Sequence, residues 1–148
     1  MINVEPVFEL TDSPAENDVA VVRAGLNGIN RPFLGDADYQ ALGLFLRHKG
    51  ELIGGLVGET GRMVLYIDLF WLDPTWRRCG HGARLLRAAE AEARRRGCRW
   101  AWLDTYDFQA RPFYESQGYT VFAEFDDLPG GHRRWFMRKR LEASAGDP

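Results

Sequence analysis

"GRMVLYIDLFWLDPTWRRCGHGARLLRAAEAEARRRGC", residues 61–98, decides how this chain of 148 residues folds. Its first part, Gly61 to Pro74, is β-branched, aromatic and apolar on both faces, and it stops at Asp73-Pro74. Such a run predicts a central strand buried on both sides. The later part sets Leu85, Leu86, Ala89 and Ala93 at helical spacing, with Arg84, Arg87, Glu90, Arg94 and Arg95 elsewhere and Gly97 as the stop. This is a helix of about four turns. Between the two, Arg77, Arg78, Gly80, His81 and Gly82 crowd into one turn. A strand passing through a glycine-rich turn into a helix leaves free backbone N–H groups at a positive helix end. That arrangement holds phosphate or pyrophosphate without any particular side chain. Gly80 and Gly82 let the backbone approach a ligand, and Arg77 and Arg78 add multi-donor cations beside it.

Two phosphate motifs are excluded. The dinucleotide fingerprint needs a third glycine where Leu85 stands, and the nucleotide P-loop needs Gly-Lys-Ser/Thr. A turn that only starts a helix is the plain rival. A metal site on Cys79 and His81 lacks further ligands nearby, and a Cys–His nucleophile pair at i and i+2 would diverge. Arg94 to Arg96 read as a solvated helix end favoured by the dipole.

Working outward, "PAENDVAVVRAGLNGIN" has Val19, Val22, Leu26 and Ile29 near helical spacing, capped by Asn17 or Asp18. "ALGLFLRHKGELIGGLVGET" reads as two strands joined at Lys49-Gly50, with Leu42, Leu44 and Leu46 on one face. "CRWAWLDT" is a buried strand. "ARPFYESQGY" is a short helix with Pro112 in its first turn and Gly118 at its end. "YTVFAEFDDLPGGHRRWFMRKRL" is two strands joined by a Pro-Gly-Gly turn. The result is a mixed α/β layer with helices covering a sheet.

Composition narrows the function. A formal charge of −2, with Glu90 and Glu92 among the helix arginines, argues against nucleic acid as the partner. No apolar run approaches a membrane span, and "MINVEPVFEL" has no basic-then-apolar signal pattern, so a cytoplasmic protein without membrane partners is expected. Cys79 and Cys98 are expected as unpaired thiols in a reducing compartment.

Arg77-x-x-Gly80-x-Gly82 after a strand ending in Asp-Pro, followed by "LLRAAEAEARRRGC", "WLDT" and "ARPFYESQGY", resembles the GNAT superfamily of N-acetyltransferases. The resemblance covers residues 65–119, and "FQARPFYESQGY" with "LPGGH" is similar to a small bacterial subgroup. It implies one GNAT-like α/β (α+β) domain over residues 1–141, with 142–148 as a flexible tail. Its sheet would be central, mixed, mostly antiparallel and twisted, with splayed central strands flanked by helices. It implies acetyl-CoA as co-substrate, with no metal. Arg78, Cys79, Gly80, His81, Gly82 and Ala83 would hold the pyrophosphate through backbone amides, with Arg77 beside them. Phe70, Trp71 and Leu72 would pair with the pantetheine arm, and the acyl group would lie where the strand matching "WAWLDT" splays away. Tyr114 matches the general-acid tyrosine. An asparagine that often contacts the cofactor is replaced by Asp107, with Gln109 nearby.

Direct transfer needs an uncharged amine and a proton for the leaving thiolate. A phenol of ordinary pKa, about 10, is protonated at neutral pH and roughly matches the thiol. For the base, Asp68 interrupts "LYIDLFW" two residues before Phe70, on the same strand face by alternation, and Asp104 in "WLDT" is its rival. Structural carboxylates, or proton removal through water, are equally open. His132 in the last turn, and Asn30 near Asn27 and Arg31, are candidates for acceptor binding. The acceptor is expected to be a small-molecule or peptide amine. Trp135, if exposed, would serve a homodimer. The rival from another class is a non-catalytic acyl-CoA sensor or partner-binding module.

Overall fold

The computed structural model describes residues 4–142, so the expected tail lies, apart from Glu142, outside the described residues. The chain divides into two units between Ala37 and Asp38. The first holds helix α1 (Glu16–Leu34), which starts after Ala15 without a side-chain cap, ahead of the Asn17 or Asp18 expected as caps. Glu16 and Asp18 instead face the positive end of the helix dipole in its first turn. The expected apolar stripe is present but exposed, and no residue of α1 is buried.

The second unit is a six-stranded sheet, β1 (Gln40–His48), β2 (Glu51–Gly61), β3 (Val64–Leu72), β4 (Trp100–Tyr106), β5 (Thr120–Leu128) and β6 (His132–Arg140), in the order β1-β2-β3-β4-β6-β5. Helices α2 (His81–Arg95) and α3 (Arg111–Ser116) belong to the same unit. Four of the strand pairings are antiparallel, and only β3 with β4 is parallel. The hairpin turn falls at Lys49 (φ 50°) and Gly50 (φ 82°), both left-handed as a tight primed turn demands. Leu42, Leu44 and Leu46 share the inner face as their alternation predicts.

The core sits on the α2 side of the sheet. Leu56, Leu65, Ala101 and Met137 are fully covered there, and Ala89 and Ala93 on α2 are small enough to let the helix lie close. Burying Leu86 alone removes a side chain whose transfer from water is worth roughly 2–3 kcal/mol. α2 ends at Gly97 (φ 87°), where the Cys98 amide reaches back to the Ala93 carbonyl at 2.8 Å. β3 is central as expected, but it is not buried on both sides: Leu69 and Trp71 are 61% and 51% exposed. One side chain on α2 and one at its C-cap also depart from the sequence reading. Glu90 is 2% exposed, where it accepts from the Tyr119 hydroxyl at 2.8 Å and the Lys139 ammonium at 2.9 Å. Arg96 is no solvated helix end, for its guanidinium ties α2 to the Ala41 carbonyl and the Thr60 hydroxyl, each at 3.0 Å.

Candidate active site

β3 and β4 pair only from Val64–Tyr66 to Trp100–Trp102, and beyond that point they diverge. β3 carries one extra residue, Asp68, between Ile67, opposite Gly58, and Leu69, opposite Val57. This bulge bends the strand away from its parallel neighbour. Gly58 makes it possible, since any side chain there would meet the Tyr66 carbonyl at 2.3 Å. Among the described residues, the β4-facing edge of β3 from Ile67 to Leu72 has no strand partner, an open length of about 20 Å at the usual strand rise. Phe70, Trp71 and Leu72 lie on that free edge, where an extended, amide-bearing ligand can pair.

The bulge also corrects the expectation for Asp68. Ile67 and Phe70 both face the core, Phe70 against the rings of Phe113 and Tyr114, so the alternation skips at Asp68. Asp68 instead shares the opposite face with Tyr66, whose hydroxyl donates to it at 3.3 Å.

The turn after β3 ends in a run of unpaired donors. Among the described residues no protein acceptor takes the amides of residues 78–83, and the first helical bond runs from Arg84 to the Gly80 carbonyl at 3.1 Å. Arg78 (φ 64°) and Gly80 (φ 85°) are left-handed and curl these amides inward at the helix N-terminus. Six donors without partners suit an anion with several oxygens. Gly80 is required by its φ. At Gly82 a Cβ would make only ordinary contact with Phe113, at 3.5 Å, so the protein itself leaves room for a side chain there. Arg77 is spent internally, its Nε donating to the Leu72 carbonyl at 2.8 Å, and so braces the turn against β3. Cys79 is exposed, and the ring of His81 packs against Trp76. No cluster of three metal-binding side chains occurs among the described residues.

Tyr114, on α3, is 8% exposed and packs on Phe70, Phe113 and Tyr119. Burial first, then the charge of Asp104, pushes its pKa up to about 12, above the ordinary value expected from sequence. The phenol therefore stays an O–H donor across the physiological range. No described residue accepts its proton.

Asp104 lies on the face opposite α2 with Tyr66, Trp102 and Tyr106, because Ala101, Leu103 and Thr105 take the buried face. Its carboxylate accepts from Arg134 Nε at 2.7 Å, while Tyr66 stacks on Trp102 at 4.3 Å between centroids. Burial and the charges of Asp104 and Asp68 hold the Tyr66 phenol above its usual pKa. Asp104 thus acts electrostatically on Tyr66 on its own face and on Tyr114 on the other, across the gap between the strands.

Asp107 and Gln109 are both hydrogen-bonded within the protein. Gln109 accepts from the Tyr106 amide at 2.7 Å, and Asp107 accepts from the Arg133 amide at 2.9 Å and bonds His132 Nδ1 at 2.7 Å. Trp135 is half-buried, its Nε1 donating to Glu124 at 2.9 Å and the Arg111 guanidinium lying over its ring. Asn30 lies on α1, in the first unit. Sequence reasoning missed Gly58, Tyr66 and Arg134. A glycine beside a central strand signals close backbone approach, but which residue it faces is a matter of register.

Residues 8–119 match the sequence model of the acetyltransferase (GNAT) family. Over 94 residues the chain is 43% identical to a blasticidin-S acetyltransferase of Streptomyces morookaense, covering 63% of this chain and 69% of that protein. Over 135 residues it is 33% identical to an acetyltransferase of Agrobacterium fabrum, covering 90% of this chain and 98% of the relative. The fold matches the crystal structure of an acetyltransferase from Agrobacterium tumefaciens with a TM-score of 0.80 at 32% identity, over 91% of this chain and 99% of that one.

Proposed function

The chain belongs to the acetyltransferase (GNAT) family and transfers an acetyl group from acetyl-CoA to an amine, and from that premise we propose that its acceptor is a primary amine on a small, cationic, ring-bearing molecule. The observation that carries the acceptor class is the face across the gap from Tyr114. Asp68 and Asp104 set two carboxylates there, Asp104 paired with Arg134, and the Tyr66–Trp102 stack gives it flat apolar surface. Carboxylates attract an ammonium-bearing molecule, and aromatic faces hold both rings and cations. The name of the 43% identical relative points the same way, to blasticidin S as a first acceptor to try.

In this reading the amides of residues 78–83 bind the pyrophosphate and the free edge of β3 pairs with the pantetheine arm. Acetyl-CoA supplies the activated acetyl thioester. Tyr114 donates its phenolic proton toward the departing sulfur. Asp68 and Asp104 attract and orient the acceptor. The setting is the cytoplasm, in keeping with two free cysteines, Cys79 exposed and Cys98 buried; no helix among the described residues is long and apolar enough to cross a membrane.

Thiol release from acetyl-CoA with a panel of blasticidin S, polyamines and peptides tests the acceptor. Turnover on the cationic ring-bearing amine, at least tenfold above the peptides in kcat/KM, is the expected result. Preference for a peptide N-terminus would overturn it.

A further inference from the structure

His132 opens β6, and its side chain is 45% exposed. Its Nδ1 lies 2.7 Å from a carboxylate oxygen of Asp107, just past the end of β4. An ionised carboxylate only accepts hydrogen bonds, so Nδ1 carries a proton, and Nε2 is the ring nitrogen left to exchange one. No described residue bonds Nε2. Asp107 is itself fixed, because its second oxygen accepts the Arg133 amide at 2.9 Å and its own amide donates to the Arg133 carbonyl at 3.0 Å. Carboxylate, imidazole and open Nε2 are the parts of a general-base dyad.

The dyad stands at the open end of the gap. β4 and β6 pair Asp104 with Phe136 and Tyr106 with Arg134, so His132 lies beyond Tyr106, where β3 and β4 have diverged. A line of rings carries the Asp104 face to it, Tyr106 stacking on Phe108 at 5.5 Å and Phe108 meeting the His132 ring edge-on at 4.8 Å. The loop above leaves Nε2 uncovered. A Cβ at Gly130 (φ 74°) would sit 3.1 Å from His132 Cδ2 and 3.4 Å from Nε2. The two carboxylates named earlier are worse placed for proton removal: Asp104 is tied to Arg134, and Asp68 to Tyr66.

We propose that His132 is the catalytic base that deprotonates the acceptor amine, with Asp107 as its positioning residue. The proposal rests on the acetyltransferase reading and adds to it the residue that takes the proton. The acceptor ammonium gives one proton to Nε2, which passes it to solvent. The freed nitrogen pair forms the C–N bond as the C–S bond breaks. The departing thiolate takes the Tyr114 proton, and the second proton lost from nitrogen restores the phenol. Ammonium and thioester thus become amide, thiol and one released proton.

The test uses His132→Asn, whose amide nitrogen stands where Nδ1 stood and still donates to Asp107, so the loop is kept and the base is lost. With the fastest amine of the panel, H132N should lose about 10²-fold in kcat/KM while melting temperature and acetyl-CoA affinity stay put. Added imidazole should restore rate to His132→Ala. The acidic limb of the wild-type pH–rate profile should flatten in H132N. Asp107, which faces the ring from the end of β4, is held below its usual pKa by the Arg133 amide and His132, so it stays ionised across that limb. Nitrogen-15 NMR should show the Nδ1–H tautomer, lost in Asp107→Asn. An H132N enzyme as fast as wild type, an H132N enzyme that keeps the wild-type acidic limb, or an H132A enzyme that imidazole does not rescue would overturn the base. Wild-type protein releasing no thiol with any amine would instead sink the acetyltransferase reading and the base with it.

Discussion

Tyr114 shows how one residue acquires a role from its surroundings. In sequence it is a tyrosine beside Phe113; in the fold it is enclosed by rings and faces an unpaired strand edge. With its pKa near 12 it is a weak acid and a durable O–H donor. Tyr114→Phe should lower turnover by ~10²-fold while leaving acetyl-CoA affinity, measured by calorimetry, unchanged; an equal loss in both would assign the phenol to binding. The same burial has a stability consequence. The folded protein holds this proton up to about pH 12, whereas an unfolded chain releases it from about 10, so the contribution is complete below pH 10 and lost as pH rises to 12. Two pH units of difference correspond to roughly 3 kcal/mol. Denaturant melts at pH 9 and 11.5 should differ by less in Y114F than in wild type.

Single elements are set by short-range choices with long-range results. The bulge in β3 is one extra residue opposite one glycine, and it both opens the gap and turns Asp68 to the face it shares with Tyr66. Gly58→Ala should therefore damage stability and acetyl-CoA binding together, because the new methyl meets the Tyr66 carbonyl. Gly82 behaves in the opposite way. It lies in the first turn of α2 with room for a methyl group, so Gly82→Ala should hold or raise the melting temperature, alanine being favoured in helices by about 1 kcal/mol. It should still weaken acetyl-CoA about tenfold, ~1.4 kcal/mol, because the methyl enters the space of the phosphate. Unchanged affinity would show that the ligand does not approach there.

For the whole unit, the tie between layers is a buried ionic knot. Glu90 on α2 holds Tyr119 at the start of β5 and Lys139 on β6. Removing Glu90 leaves the buried Tyr119 hydroxyl without an acceptor and the Lys139 ammonium, 23% exposed, without its counter-charge, so Glu90→Ala should cost about 2 kcal/mol in chemical denaturation. The double change Glu90→Met with Lys139→Met should recover most of that loss, as apolar replacement of a buried pair often does. A double variant as unstable as the single one would show that packing, not charge, is what Glu90 supplies.

The sequence by itself determined the order of strands and helices, the hairpin at Lys49-Gly50 and the glycine-rich turn ahead of α2, because periodicity, turn chemistry and glycine spacing are local. It also marked Tyr114, Asp68, Asp104 and His132 as chemically notable. Only the tertiary structure decided which of them face each other. A bulge changes a strand's facing by one residue, and nothing within "LYIDLFW" reveals that its partner strand pauses at Gly58. Glu90 looked like helix surface because its partners lie 29 and 49 residues away. Asp107 and His132, 25 residues apart, meet only because β4 and β6 are neighbours in the sheet. Pairing across such distances depends on register, which is fixed when the core packs and not before.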